Sequence, residues 1–167
     1  PDEGKILIDG REVSFSSPIE SRRCGISVIY QELSLVSELN VAQNIFLGKE
    51  KVFGPGVIKW HEIYDDAREL LNRLSLNIDT RTLIKELTVG MQQMIEIAKS
   101  LNEDSRIIIM DEPTSALGME EKIELFKHIE YLKRKGVGII YISHRLPEIF
   151  EIADRVTVLR DGQHIAT

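Results

Sequence analysis

A single cysteine, Cys24, leaves this sequence without any internal disulfide and is neutral to mildly supportive of a reducing compartment. No stretch approaches the roughly 18 consecutive apolar residues that a membrane helix needs. The opening Pro1-Asp2-Glu3-Gly4 is acidic and polar, unlike the basic start of a secretory signal. Low-complexity tracts and solenoid-period repeats are absent too. Positive charge is in short supply: 21 Lys and Arg face 27 Asp and Glu, and the net charge of −6 weighs against nucleic acid as the main partner. What is present is 167 residues, 43% hydrophobic and 29% charged, enough for one domain with a sizeable core.

The organising stretch is Arg106 to Gly118, RIIIMDEPTSALG. Ile107 to Met110 run directly into Asp111 and Glu112, and Pro113 stops the run. A short continuous apolar run suits a strand buried on both faces of a parallel sheet. Ligands of such sheets gather beyond the carboxyl ends of the strands, where Asp111 and Glu112 fall. Adjacent acids there are costly unless a positive group answers them, and a metal–phosphate group does so. This is a Walker B pattern, in which Asp111 holds Mg²⁺ and Glu112 takes a proton from an attacking water. Taken alone, the same residues also read as an acidic turn after a core strand.

Along the chain, Lys5–Asp9 reads as a strand, Gly10 as its turn and Glu12–Phe15 as a return strand. Gly25–Tyr30 is β-rich and delivers Gln31-Glu32 at its end. Gln31 can reach a metal ion or an attacking water, or be an ordinary polar loop residue. Val41–Leu47 predicts a short helix, and the Gly- and Pro-rich Val52–Ile58 a loop. His61–Leu74 carries Ile63, Ala67, Leu70, Leu71 and Leu74 at helical spacing, with Trp60 and Tyr64 expected to pack inside. Leu87-Thr88-Val89-Gly90-Met91 precedes a helix with apolar face Met91, Met94, Ile95, Ala98 and Leu101. Thr88 is placed as its N-cap, and Gly90 allows close backbone approach. Such a helix start is a capping motif and also a plausible phosphate site.

Met119–Lys135 predicts an amphipathic helix with Ile123, Phe126, Ile129, Tyr131 and Leu132 toward the core. Its Lys133-Arg134-Lys135 end suits the negative end of the helix dipole, and Gly136 stops it. Val137–Ser143 reads as a second buried strand and delivers His144. His144 is either a core or capping histidine or, at the same sheet end as Asp111 and Glu112, a γ-phosphate contact. Leu146–Ile152 is a short helix, Arg155–Leu159 a strand, and Asp161-Gly162 a hairpin turn into Gln163–Thr167.

Gln31 after a strand, LTVGMQQ opening a helix, IIIMDEPTSAL, and a strand ending in His144 form one set. The chain resembles the ATP-binding subunit of ABC transporters. It is most similar to the sugar-importer (ribose, galactose, xylose) group, whose nucleotide-binding domains occur twice in one polypeptide. The closest stretch is YISHRLPEIFEIADRVTVLRDG, Tyr141–Gly162. The resemblance implies an α/β fold: a RecA-like P-loop NTPase sheet with helices on both faces and an inserted helical subdomain. Residues 1–40 and 103–167 then form the α/β core, and 41–102 the helical subdomain with the signature motif, Val41–Arg81 docking on the permease.

The resemblance also implies roles. Gln31 matches the Q-loop glutamine, which senses Mg²⁺ and water near the membrane subunit. Leu87, Thr88, Val89, Gly90 and Met91 match the signature motif that closes on ATP of the opposite domain. Asp111 (with Gln31, on Mg²⁺) and Glu112 match Walker B, Ser115-Ala116-Leu117 the loop coupling the two sites, and His144 the switch histidine. The implied ligands are ATP and Mg²⁺. The implied partners are transmembrane permease subunits, a second nucleotide-binding domain and, indirectly, a periplasmic sugar-binding protein. The implied place is the cytoplasmic face of the cell membrane.

Three departures stand beside these matches. Thr88 replaces the usual Ser and keeps the hydroxyl; Met91 replaces a Gln; Gly118 replaces the Asp that usually ends the coupling loop. No G-x-x-x-x-G-K-[ST] occurs: Gly4-Lys5 is followed by Ile6, and Gly48-Lys49 by Glu50. The family places its P-loop shortly before a segment like Pro1–Gly4, so the P-loop strand and helix are expected to be missing, leaving weak ATP binding and an apolar edge prone to association. The expected function is the ATP-hydrolysing subunit of a monosaccharide importer, truncated here. The alternatives are a non-hydrolytic remnant with a structural or regulatory role, and a soluble ABC protein of translation or DNA repair.

Overall fold

The computed structural model of the chain describes residues 4–54, 56–101 and 105–167. At its centre is a parallel sheet of three strands in the order β3 (Ile26–Ile29), β6 (Ile107–Asp111), β7 (Gly138–Ile142). Its register aligns Ile29 with Met110 and Tyr141, and Val28 with Ile109 and Ile140. Because side chains alternate along a strand, the first row faces one side and the second the other.

The first side is closed. Ile29, Ile108 and Met110 pack with Met94 and Ile97 of helix α4 (Val89–Leu101), with Leu125, Phe126 and Ile129 of α5 (Met119–Arg134), and with Ile152 of α6 (Leu146–Ile152). Each such aliphatic side chain contributes about 1.5–3 kcal/mol when fully buried.

A second core lies beside the first. It joins α2 (Val41–Ile45), α3 (Trp60–Arg73), a 3₁₀ turn (Ile84–Glu86) and the other flank of α4, through Ile95 and Ala98. Helix α2 is too short to hold itself and is fixed by side chains. Asn40 caps it, exchanging bonds with Gln43 in a capping box. Buried Asn44 donates to Val36 O at 3.0 Å and accepts from Val36 N at 2.7 Å.

The periphery consists of hairpins and one short helix. β1 (Ile6–Ile8) pairs with β2 (Arg11–Val13), and β8 (Val158–Arg160) with β9 (Gln163–Ala166). The second hairpin turns at Asp161 and Gly162, both at positive φ, as a tight turn of the primed type requires. Helix α1 (Pro18–Arg23), unforeseen in the sequence, is capped by Ser17 and buries none of its residues.

Several expectations are corrected. Val52–Ile58 is not wholly loop: β4 (Val52–Phe53) pairs with β5 (Val57–Ile58) across a turn with Gly54 and Gly56 at positive φ. Trp60 begins α3 and lies 40% exposed, whereas Tyr64 packs at the rim of the helical core and accepts from Asn40 Nδ2 at 2.9 Å. On α5, Ile123 and Tyr131 point to solvent and Leu125 takes the buried place, because the inward stripe runs through Leu125, Phe126, Ile129 and Leu132. Met91 lies outside the apolar face of α4 and is exposed.

The sheet itself differs most from expectation. Helices on both faces and strands buried on both were predicted, but among the described residues only one face is closed. Ile140 and Ile142 on the other are 52% and 47% exposed, and Val28, Ile107 and Ile109 only partly covered. β7 is also an edge strand, with no partner on its free side among the described residues. The segment Pro1–Glu3, Pro55 and the expected subdomain boundary at 102–103 lie outside the described residues.

Candidate functional site

Parallel pairing brings the carboxyl ends of β3, β6 and β7 side by side, and three of the predicted residues sit just past those ends. Gln31 follows β3 by two residues, Glu112 follows β6 directly, and His144 follows β7 by two. Glu112 has φ +46°, a left-handed conformation unusual for a residue with a Cβ. Its backbone N–H donates to Ile142 O at 3.0 Å, which carries the ladder one step past Asp111 and ties the two loops together.

Side chains complete the junction. His144 Nδ1 lies 2.8 Å from Glu112 Oε1, and Gln31 Nε2 donates to Glu112 Oε2 at the long distance of 3.5 Å. The His144 ring is largely open to solvent, while the Glu112 carboxylate is 28% exposed. Asp111, last residue of β6, is half-buried, and among the described residues no donor meets its carboxylate. Sequence reasoning thus placed four residues at one sheet end, and the structure brings Gln31, Glu112 and His144 into contact there.

The Leu87–Met91 segment lies elsewhere. Thr88 Oγ1 accepts from Met91 N at 3.2 Å, so the expected N-cap is formed. Gly90 is buried against the start of α5, where a Cβ would stand 2.6 Å from Glu121 Oε2. The same carboxylate oxygen accepts from Gly118 N at 2.7 Å, so Glu121 caps α5 and fills the space that Gly90 leaves. Ser115 and Ala116 are exposed beside this contact, with Leu117 half-buried. Among the described residues, no hydrogen bond or ion pair joins Leu87–Met91 to Gln31, Glu112 or His144.

Two features escaped the sequence. Gln92 Nε2 donates to Ile84 O at 3.0 Å and Leu87 O at 3.1 Å, securing the approach to α4. Glu148 on α6 is 2% exposed and accepts from Thr114 Oγ1 at 2.7 Å and Tyr141 OH at 3.0 Å. Burial opposes its ionisation, but the bonds from Thr114 and Tyr141 and the charges of Lys122 and Arg145 outweigh it and hold the carboxyl below its ordinary range. Burial, then the neighbouring Glu148, pushes the Tyr141 phenol well up, against the Thr114 bond. Neither was visible before, because Glu148 looks like any charge on a short helix.

A cavity of about 230 Å³ is lined by Arg22, Tyr30, Ser34, Lys49, Glu96 and Lys99. Glu96 is buried; its Oε1 accepts from Ser34 Oγ at 2.6 Å, and its Oε2 has no partner among the described residues.

The sequence profile described as ABC transporter matches residues 1–115. The chain belongs to the ABC transporter family. It is 51% identical over its whole length to a putative ribose/galactose/methyl galactoside import ATP-binding protein of Halalkalibacterium halodurans. It is 49% identical, over 99% of its length, to one of the same description from Burkholderia ambifaria. The chain spans about a third (32%) of the length of each of these relatives. A nucleotide-free ATP-binding cassette of an ABC transporter superposes with TM-score 0.81 at 25% identity, covering 99% of this chain and 69% of that one. A dimeric cassette described as bound to ADP and Pi after hydrolysis gives TM-score 0.79 at 24% identity, covering 97% and 71%. The family fold is therefore the α/β ABC ATPase fold built on this parallel sheet.

The donors fit a metal held on a nucleotide better than a metal held by protein alone. No three His, Cys, Asp or Glu converge as a cage among the described residues. Mg²⁺ commonly takes one or two carboxylates and completes its shell with water and phosphate oxygens. An Asp111 carboxylate met by no described donor, with the Gln31 amide against the adjacent Glu112, is such a partial set.

Proposed function

We propose that this chain is part of the ATP-hydrolysing subunit of an ABC importer that drives monosaccharide uptake. The observation that carries the reading is the junction of Gln31, Glu112 and His144 at the carboxyl end of one parallel sheet. The sugar class rests on the names of the two relatives.

Asp111 and Gln31 would hold Mg²⁺ on the bound ATP, and the metal–nucleotide supplies a polarised γ-phosphoryl group with part of its charge neutralised. Glu112 accepts the proton of the attacking water. Its Oε1 is engaged by His144, so Oε2, facing Gln31 at 3.5 Å, is the oxygen open to a water. Gln31 orients that water through its amide, and His144 fixes the carboxylate and stands ready for the developing phosphate charge. Thr88 and Gly90, at the start of α4, are assigned to the nucleotide of a second domain, with Ser115–Leu117 between the two sites.

The two cores support division into an α/β unit and a helical subdomain, with α4 shared between them. The polar cavity lined by Tyr30, Lys49 and Glu96 supports docking of a permease segment there. A donor on that segment would satisfy Glu96 Oε2. No helix among the described residues is long and apolar enough to cross a membrane, and a peripheral place on the cytoplasmic face is assigned through the permease contact.

One observation favours a second reading, a binding or regulatory role without turnover. Gly118, which ends the Ser115–Leu117 loop, carries no carboxylate where the family usually has Asp. The deciding experiment is Mg-ATP calorimetry and turnover on this chain, alone and fused at its N-terminus to a strand–P-loop–helix segment. The importer-ATPase reading expects tight binding and hydrolysis only in the fusion, with Glu112→Gln abolishing hydrolysis and preserving binding. A fusion that binds ATP and never turns it over establishes the second reading.

A further inference from the structure

Glu148 is the most buried carboxylate the chemistry above leaves unused, and its neighbours are not arbitrary. Its Oε2 accepts from Thr114 Oγ1 at 2.7 Å, from Tyr141 OH at 3.0 Å and from Ser143 Oγ at 3.3 Å. Thr114 stands two residues after Glu112, and Ser143 immediately before His144. One carboxylate oxygen therefore ties the loop that carries Glu112 to the strand end that carries His144. The other oxygen faces cations: Arg145 Nη1 at 3.5 Å and Lys122 Nζ at 3.8 Å. Ser143 Oγ in turn accepts from Arg145 N at 3.0 Å, so the residues on both sides of His144 are engaged.

We propose that Glu148 is the positioning residue of the Glu112–His144 pair, acting as a buried tie between the two loops. The reading rests on the assignment of that pair to hydrolysis only for its biological meaning; the tie is a property of the fold. Glu112 is held from two directions, by its own N–H on Ile142 O of β7 and through Thr114 on Glu148 of α6. The first bond fixes the backbone. The second fixes the loop that follows, and with it the direction in which the left-handed Glu112 projects. A buried acceptor serving three hydroxyls suits this task, because removing it leaves those donors unsatisfied and the loop free to turn away.

The test reads the pair directly. Nitrogen-15 NMR of the His144 ring in this chain reports which ring nitrogen carries the proton, and contact with Glu112 Oε1 favours Nδ1. In wild type the ratio of the Nδ1–H to the Nε2–H form should exceed that in Glu112→Ala by about fivefold, the scale of one net hydrogen bond. Glu148→Ala should lose that excess as fully as Glu112→Ala does, whereas Glu148→Gln, which keeps an acceptor oxygen, should retain most of it. Ile129→Val, a core change touching neither loop, should leave the ring signals unmoved. A Glu148→Ala chain that melts cooperatively and keeps the wild-type ring signals overturns the proposal. If Glu148→Ala does not fold, Tyr141→Phe and Thr114→Val decide: a partial loss of the Nδ1–H form in either supports the tie, and wild-type signals in both overturn it. Hydrolysis plays no part in this readout, so failure of the ATPase reading would show elsewhere, in the turnover assay.

Discussion

His144 Nδ1 and Glu112 Oε1 stand 2.8 Å apart although 32 residues separate them in sequence. The contact needs no distortion of either strand. β6 and β7 run parallel in a register that pairs Asp111 with Ile142, so the residues just past each end emerge together.

His144→Ala, in the P-loop fusion described above, should lower ATP turnover about a hundredfold or more, the usual weight of a lost acid–base or charge-stabilising group. ATP affinity should change little, since Asp111, Gln31 and the fused P-loop remain to hold the metal and the phosphates. Steady-state turnover beside calorimetric binding checks both halves.

The Glu148 cluster makes stability depend on pH at both ends of the scale. Glu148 has its folded pKa depressed below the ordinary 4.5, so its contribution is present above that value and is lost as pH falls through the folded pKa. Tyr141 has its folded pKa raised above the ordinary 10.0, so stability is intact below pH 10 and declines as pH rises beyond it. Urea unfolding across pH should show both losses. Tyr141→Phe should lessen the alkaline loss, and Glu148→Gln the acid one.

Helix α4 serves two cores with adjacent residues. Met94→Ala and Ile95→Ala should each cost about 2–5 kcal/mol, since both side chains are fully buried. Hydrogen exchange should separate them: Met94→Ala speeds exchange in β6, and Ile95→Ala in α2 and α3. Identical exchange maps would mean that the two cores open as one unit.

The uncovered sheet face should make the chain self-associate. Ile140 and Ile142 lie on an edge strand and are about half exposed, a flat apolar surface of the kind that recruits another chain. Ile140→Lys should shift the sedimentation profile toward monomer at micromolar concentration without changing the melting profile by more than a degree or two.

The sequence carried the strands, the long helices and the sheet-end residues because each writes a local signal. Ile107–Met110 is an unbroken apolar run, His61–Leu74 keeps strict helical spacing, and Asp161-Gly162 marks its own hairpin. It misled where burial depends on a distant neighbour. Ile123 and Tyr131 are as apolar as Leu125, but only the last lies over Ile108 and Met110. Ile140 and Ile142 look like core, yet the described residues cover only about half of each. Glu148 was hidden for the opposite reason: its partners Thr114, Tyr141 and Ser143 come from two other stretches, and no spacing rule links them. Trp60, expected inside, begins its helix on the outer rim.

Asp111 is the last residue with a partner in the ladder, and Glu112 is the first to leave it, through one left-handed backbone step. Two acids adjacent in sequence are thereby sent to different stations, one still within the sheet and one beyond it. Their separation in space is a matter of phase. Sliding β6 by a single residue against β7 would turn every side chain of the strand to the opposite face and place Asp111 where Glu112 now stands. The Ile108 and Met110 contacts that fill the core are thus also what keeps the two acids in step.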